Sequence, residues 1–232
     1  MNDATKYLLS TRPLSKAVVD DAGAKGIAIE TLSFIATQPV QDEALAQQLK
    51  GLATQPHTVV FTSMNAVEAV AKQIDGAPAW RIYSIGNTTR KLIEAKWGAD
   101  KIVATAENAG RLGERLIDEG VKEAVFFCGN IRRDELPNKL RSEGGRVEEV
   151  VVYQTEETPA KLQREYDGVL FFSPSAVQSF FSANKLPKQT VCFAIGRTTA
   201  DAIREHTQNK IIIGTEPSKE ELVYRAVEYF NS

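Results

Sequence analysis

The stretch VVFTSMNAV at residues 59–67 recurs 110 residues later, where LFFSPSAV occupies 170–177. At the same shift IGNTT (85–89) lies over IGRTT (195–199). One offset that holds for two separated segments indicates an internal repeat rather than chance similarity.

The repeat is set in a pattern typical of α/β proteins. Apolar runs of about five residues alternate with longer segments of helical period, as in HTVVFTS followed by NAVEAVAKQI. A weaker match, at shifts near 118 and 119, sets KYLLSTRP against AVFFCGN (124–130) and IAIETLSF (27–34) against RVEEVVVY (146–153). These matches predict an α/β fold of two similar, doubly wound parallel-sheet lobes.

The order of the repeated segments predicts how the chain is divided. The first lobe is expected to be discontinuous, formed by 1–36 plus 157–232, and the second lobe is expected at 38–153. Linkers at about 35–41 and about 154–160 would then be two crossing strands, each carrying a proline. Two hinged lobes are expected to enclose a cleft, lined by the carboxyl ends of parallel strands, where such sheets bind ligands.

Composition excludes several classes of protein. The 232 residues are 43% hydrophobic and 25% charged, as in globular proteins, and the net charge of −2 argues against nucleic acid as a partner. No apolar stretch is long enough to span a membrane, and no secretion signal is visible, so a cytoplasmic protein is expected. Cys128 and Cys192 lie in apolar runs that predict buried, reduced thiols, and His57 and His206 lack metal-ligand spacing, so no metal site is expected.

Five turns that follow predicted strands carry small or hydroxyl residues. They are Thr62-Ser63, Gly86-Asn87-Thr88-Thr89, Gly129-Asn130-Ile131, Ser173-Pro174-Ser175-Ala176 and Gly196-Arg197-Thr198-Thr199. Helix capping explains some of them, because Ser173 before Pro174 is a typical N-cap and Thr198 with Asp201 forms a capping box. Several helix N-termini around one cleft would also bind a polyanion. Neither GxxxxGK[ST] nor GxGxxG occurs, which favours carboxylates over nucleotides.

Two further kinds of side chain could act at the cleft. Arg12 and the pair Arg132-Arg133 would add positive charge, although solvated surface arginines are an equally open interpretation. Tyr153 ends the run VEEVVVYQT where the chain leaves the second lobe. Its phenol would lie at the mouth of the cleft, or its ring would pack against the hinge.

The motifs STRP, FTSMNAV, IGNTT, CGNIRRDEL, VYQT, FFSPSAV and IGRTTA resemble those of the uroporphyrinogen-III synthase family over nearly the whole chain. The resemblance implies a cytosolic lyase of porphyrin and heme biosynthesis that needs no cofactor. Its substrate would be hydroxymethylbilane, a linear tetrapyrrole with eight carboxylates, which loses water and closes to a macrocycle with ring D inverted. A monomer without membrane or nucleic-acid partners is expected.

The resemblance also implies roles for residues. Tyr153 would be the catalytic residue that assists departure of the hydroxyl group. The turns and the resemblance together predict a set of substrate-binding residues. These are Arg12, Ser63, Gly86, Thr89, Gly129, Asn130, Arg133, Ser173, Ser175, Ala176, Gly196, Thr198 and Thr199. In one departure from the family pattern, Cys128 precedes the glycine of the GN turn where an arginine is common.

Two alternatives from other functional classes share the same architecture. A two-lobed solute-binding protein would use the same hinge and cleft, but the missing export signal argues against it. A sensor domain would bind an anionic small molecule without turning it over.

Overall fold

The computed structural model describes residues 5–216 and 218–232. This part of the chain divides into two compact units. Unit 1 contains the described residues through Ala36 and from Glu156 onward, and unit 2 is Thr37–Thr155. Residues 1–4 of the expected first lobe lie outside the described residues.

Strands and helices alternate along most of the chain. In order, the elements are β1 (Lys6–Ser10), α1 (Lys16–Ala24), β2 (Ile27–Thr31), β3 (Ile35–Pro39), α2 (Glu43–Ala53), β4 (Thr58–Phe61), α3 (Met64–Ala71), β5 (Arg81–Ile85), α4 (Asn87–Trp97), a 3-10 turn (Ala99–Lys101), β6 (Ile102–Ala106), α5 (Ala109–Asp118), β7 (Glu123–Gly129), α6 (Glu135–Ser142), β8 (Arg146–Glu157), β9 (Gly168–Phe171), α7 (Pro174–Ala183), β10 (Val191–Ala194), α8 (Arg197–Arg204), β11 (Ile211–Ile213) and α9 (Lys219–Asn231).

Each unit is built on its own sheet. The unit 1 sheet has the order β11-β10-β9-β1-β2, and its neighbouring strands are parallel. The second sheet has the order β3-β8-β7-β4-β5-β6, in which β8 through β6 are parallel and β3 lies at the edge beside β8. The predicted α/β class with parallel sheets is confirmed. The chain passes between the units within β3 and again within β8.

Pairing of β1 with β9 explains why unit 1 is discontinuous. Leu9 lies opposite Val169, and β1 separates β9 from β2 within the sheet. Unit 1 therefore needs both the start and the end of the chain, whereas every element of unit 2 comes from one continuous segment.

Helices cover both faces of each sheet, so the central strands are buried on both sides. All four residues of β9 and of β10 are buried, as expected for short, continuously apolar parallel strands. Each sheet face carries a hydrophobic cluster. The clusters centre on Phe61, Trp80 and Phe127; on Val60, Tyr83 and Phe126; on Leu8, Phe172 and Phe193; and on Phe34, Phe171 and Phe180.

The two cysteines lie inside these clusters. Cys128 and Cys192 are buried and unbonded to each other. Burial raises the pKa of the Cys128 thiol to about 11 and that of Cys192 to about 12. Both thiols are therefore protonated at neutral pH and contribute apolar packing. Within the described ranges, no helix has the length and apolarity needed to cross a membrane.

Candidate functional site

The ring of Tyr153 lies directly against Gly129 at the carboxyl end of the unit 2 sheet. The two residues are opposite one another on β8 and β7, just after the register shifts between Cys128 and Gly129. A Cβ on residue 129 would come within 2.5 Å of Cε2 and Cζ of the Tyr153 ring. Glycine is required here because only a residue without a side chain permits this approach.

Ser63 connects this ring to the start of a helix. Its Oγ accepts a hydrogen bond from the Ala66 amide at 3.2 Å, which caps α3, and donates to Oη of Tyr153 at 3.2 Å. The phenol oxygen thus accepts a hydrogen bond from Ser63, so its own O–H is available to donate to an acceptor outside this pair. The half-buried ring also packs against the cluster that contains Phe61 and Phe127.

Asn130 fixes β8 beyond the phenol. The Asn130 amide donates to the Tyr153 carbonyl at 3.2 Å. Its side chain accepts from the Thr155 amide at 2.8 Å and donates to the Thr155 carbonyl at 3.2 Å, which extends the ladder between the strands. Four predicted site residues, Ser63, Gly129, Asn130 and Tyr153, are therefore together at one edge of unit 2.

The segment after Asn130 does not form the expected short turn into a helix, because α6 begins only at Glu135. Glu149 on β8 holds this segment through an ion pair with Arg132, and a second pair joins Glu149 to Arg141 at 2.6 Å. The hydrogen bond from Arg132 is the main reason that the pKa of the Glu149 carboxyl is lowered. Arg133 lies exposed in the segment that Arg132 anchors.

At the second predicted turn of unit 2, a glycine is the N-cap of α4. Gly86 has a φ of 68°, a left-handed conformation that favours glycine, and it provides no side chain to cap the helix. Thr89 is only 5% exposed, whereas the neighbouring Thr88 is exposed. Sequence reasoning selected Thr89 and missed Thr88, although the 110-residue shift places Thr88 over Thr198.

The FFSPSAV turn of unit 1 repeats the cap seen at Ser63. Ser173 Oγ accepts from the Ala176 amide at 3.2 Å, and Pro174 occupies the first turn of α7, as predicted. The hydroxyl oxygens of Ser173 and Ser175 lie 3.3 Å apart. The Ala176 amide, expected to bind substrate, is thus already engaged by the cap.

The predicted capping box at Thr198 and Asp201 is wrong. The helix α8 starts at Arg197 with Gly196 as its N-cap, so Thr198 lies inside the first turn and cannot cap it. Thr198 is exposed, but Thr199 is 2% exposed and points into unit 1.

The four helix starts therefore differ in whether a side-chain oxygen caps their amide groups. Side-chain oxygens cap α3 and α7, while α4 and α8 begin at glycine without a side-chain cap among the described residues. Uncapped amides at a helix N-terminus attract anions. The IGNTT and IGRTT segments are the stronger candidates for carboxylate binding on this ground.

Arg12 is exposed in the turn that follows β1. Ser10 shapes this turn, because its hydroxyl donates to the Arg12 carbonyl at 2.5 Å. Among residues 5–216 and 218–232, no group of three His, Cys, Asp or Glu side chains is arranged to hold a metal ion.

The fold and these turns define a class of α/β protein with two units, in which parallel strands end in turns rich in glycine and hydroxyl groups and one turn contacts a phenol on a neighbouring strand. A family model described as uroporphyrinogen-III synthase HemD matches residues 16–224. The chain belongs to the uroporphyrinogen-III synthase family. The sensor or solute-binding alternative is not favoured.

Known proteins agree with this assignment. The uroporphyrinogen-III synthase of Saccharomyces cerevisiae is 27% identical over 206 residues, which cover 71% of this chain and 73% of the yeast protein. The crystal structure of uroporphyrinogen-III synthetase from Helicobacter pylori 26695 is similar with a TM-score of 0.71 at 17% identity, covering 97% of this chain and 99% of that one. A mutant uroporphyrinogen-III synthase from Thermus thermophilus has a TM-score of 0.68 at 18% identity, with coverage of 97% and 98%. At these identities the structural matches establish the fold alone.

Proposed function

We propose that this chain is a cyclising hydro-lyase that converts hydroxymethylbilane to uroporphyrinogen III. The family match supports the reaction, and the site residues support a division of roles. The observation that carries the mechanism is the phenol of Tyr153, seated over Gly129 and receiving a hydrogen bond from Ser63.

In this mechanism Tyr153 is the general acid. The carbon–oxygen bond of the substrate's hydroxymethyl group breaks with electrons supplied by the pyrrole nitrogen, and the phenol donates its proton so that water leaves. A phenol O–H can act as a general acid in this way. The substituted α-carbon of the terminal pyrrole ring then attacks the azafulvene carbon. The bond from that α-carbon to its original bridging carbon breaks and re-forms at the ring's free α-carbon, which inverts the ring, and the proton lost from the free α-carbon restores the phenol.

The remaining site groups bind and position the substrate. Unassisted closure would join the ends without inverting ring D, so the enzyme must hold a particular conformation of the chain of rings. Uncapped amides at α4 and α8, together with the exposed hydroxyls of Thr88 and Thr198, are suited to the substrate's carboxylates. Positioning of this kind contributes to catalysis beside the acid role of Tyr153.

A product-isomer assay tests the proposal. The purified chain is mixed with hydroxymethylbilane, the products are oxidised to porphyrins, and the isomers are separated by chromatography. We expect type III to form faster than type I forms in a blank. Type I alone, at the blank rate, would contradict the proposal and favour a protein that binds without turnover. A cytoplasmic location and a monomeric state are part of the proposal, to be tested by cell fractionation and by light scattering.

A further inference from the structure

Two cationic residues that are far apart in sequence meet at one turn of unit 1. Lys219 is the first residue of α9, and its Nζ donates to the Pro13 carbonyl at 2.9 Å. Pro13 directly follows Arg12 in the turn after β1. The start of α9 is thereby tied to the residue next to Arg12, although 206 positions separate Lys219 from Pro13.

The positive charge of this pair is only partly balanced. Among the described residues, neither Arg12 nor Lys219 forms a salt bridge. Burial lowers the pKa of Lys219, and the charge of Arg12 lowers it further, while Glu220 acts in the opposite direction. The Glu220 carboxylate accepts a hydrogen bond from the Ser218 hydroxyl at 2.9 Å. Two cations and one carboxylate leave a net positive charge.

The first turn of α9 is held in place by other contacts. Glu221 Oε1 accepts from the Thr215 amide at 3.1 Å and from its hydroxyl at 2.6 Å, and Ser218 caps the Glu221 amide. The helix cap is thus satisfied by the chain itself. Attraction for an anion at this turn comes from the side chains of Arg12 and Lys219.

The repeat indicates that the fold does not need these charges. In unit 2 the 110-residue shift places Ala109 opposite Lys219, and the weaker match at 118 places Asn130 opposite Arg12. Asn108 caps α5 there as Ser218 caps α9. Unit 2 has the same arrangement of helix and strand with no cation at either matching position, so the shared fold does not require a cation there.

We propose that Arg12 and Lys219 form a binding subsite for a carboxylate group of an acidic ligand. Two adjacent cations, one of them a planar guanidinium, are suited to a carboxylate. This inference rests on the proposed function, under which the ligand group is a carboxylate of the tetrapyrrole. Lys219 is an addition to the site residues expected from the sequence.

Calorimetric titration with uroporphyrin III, an octacarboxylate, tests the subsite without relying on turnover. Lys219→Gln and Arg12→Gln are expected to weaken binding by about tenfold each, the order of one charge-assisted hydrogen bond. Lys219→Arg keeps the charge and is expected to retain most of the affinity. The matched control is Lys25→Gln, which removes a lysine that pairs with Asp21 and precedes β2, at the amino end of the parallel strands, whereas Arg12 follows β1 at their carboxyl end.

Each outcome decides the proposal. The proposal is supported if Lys219→Gln and Arg12→Gln both lose affinity for uroporphyrin. In that case Lys25→Gln must bind like the wild type and Lys219→Arg must keep most of the affinity. It is overturned if Lys219→Gln binds like Lys25→Gln. It is also overturned if Lys219→Arg loses affinity as fully as Lys219→Gln and both unfold at lower temperature, because the lysine then only supports Pro13.

Charge-dependent uroporphyrin binding in a chain that never converts hydroxymethylbilane would retain the subsite and refute the proposed function. If the chain forms the type III product normally but Lys219→Gln leaves the affinity for uroporphyrin unchanged, the subsite is refuted and the proposed function is retained.

Discussion

The serine-capped turns of the two units share a backbone arrangement but differ in what the serine hydroxyl contacts. Ser63 and Ser173 each accept an amide hydrogen bond at 3.2 Å. Ser63 then donates to Tyr153, whereas the Ser173 oxygen lies beside Ser175. The weaker repeat match places Phe34 opposite Tyr153, and that ring is fully buried. The difference teaches that the cap serves folding in both units, whereas among the described residues only the unit 2 cap contacts a phenol.

The close approach at Gly129 offers the strongest way to break this comparison. In Gly129→Ala the new methyl group would overlap the Tyr153 ring, so the ring or the strand must move. We expect the free energy of unfolding to fall by about 1 to 3 kcal/mol, as for other overpacked sites. Turnover is expected to fall by more than in Tyr153→Phe, because both the position and the hydrogen bond of the phenol change. Urea unfolding and the isomer assay measure the two effects.

The control for this change is Gly196→Ala in unit 1. A Cβ there meets nothing within 4 Å, and the φ of −173° is open to any residue. Its unfolding free energy is expected to stay near that of the wild type. Equal destabilisation by the two substitutions would mean that the contact with Tyr153 is not what requires glycine at 129.

Tyr153→Phe removes the phenol but keeps the ring that packs against the unit 2 core. We expect kcat to fall by about 100-fold, at the low end for a general acid because the pyrrole nitrogen already drives departure. KM and the type III product are expected to be unchanged. Full activity would leave Tyr153 as a packing residue.

The reverse change tests unit 1. Phe34→Tyr places a hydroxyl at a fully buried position beside the Phe180 ring, whose centre is 5.0 Å away. It is expected to cost about 1 to 3 kcal/mol of stability and to gain no activity, even in the Tyr153→Phe background. Recovery of turnover in that double variant would show that either unit can supply the acid.

Replacing each capping serine separates the effect of the helix cap on stability from the effect of its contact with the phenol on turnover. Ser63→Ala and Ser173→Ala are each expected to lower the unfolding free energy by about 1 kcal/mol, the usual value of an N-cap. Since only Ser63 donates to Tyr153, only Ser63→Ala is expected to lower kcat, by about fivefold for one neutral hydrogen bond. Equal kcat values in the two variants would contradict a link between the cap and the phenol.

The smallest effect concerns alkaline pH, where the units are expected to behave alike. Tyr83 in unit 2 donates to Glu119 at 2.5 Å, and Tyr166 in unit 1 donates to Glu30 at 2.6 Å. Burial first, and then the carboxylate, raises the pKa of each tyrosine to about 12. Unfolding lowers that pKa to about 10, so the stabilisation is complete below pH 10 and is lost as the pH rises toward 12.

Urea unfolding at several pH values above 9 measures this loss. Tyr83→Phe and Tyr166→Phe are each expected to make the decline less steep, with Tyr7→Phe as an exposed control. A decline equally steep in all variants would assign it to other groups.

The sequence predicted those features that depend on local patterns. Alternating apolar runs and helical segments indicated parallel sheets, and Ser173 before Pro174 indicated a cap, because strand burial and helix capping act over a few residues. The repeat added Ser63 by its offset. The same local reasoning failed at Thr198, since a glycine can begin a helix and move the threonine into its first turn.

The remaining features depend on contacts between distant residues. The register shift that brings Tyr153 onto Gly129 arises from the pairing of β7 with β8, which the local pattern of either strand does not specify. Helical periodicity could have separated exposed Thr88 from buried Thr89, but only with the helix start known to one residue. The meeting of Lys219 with the turn of Arg12 required the three-dimensional arrangement of β1 and α9.

The discontinuous make-up of unit 1 has a consequence during synthesis on the ribosome. Its strands β1 and β2 emerge first, but β1 must wait for β9 before its second edge is paired. At typical elongation rates the intervening segment takes on the order of ten seconds to appear. A lone pair of strands is marginally stable in water, so the nascent chain carries an unpaired apolar strand while unit 2 is already able to fold. Synthesis therefore favours folding of the inserted unit first, and β1, although made before that unit, is among the last elements to reach its native partners.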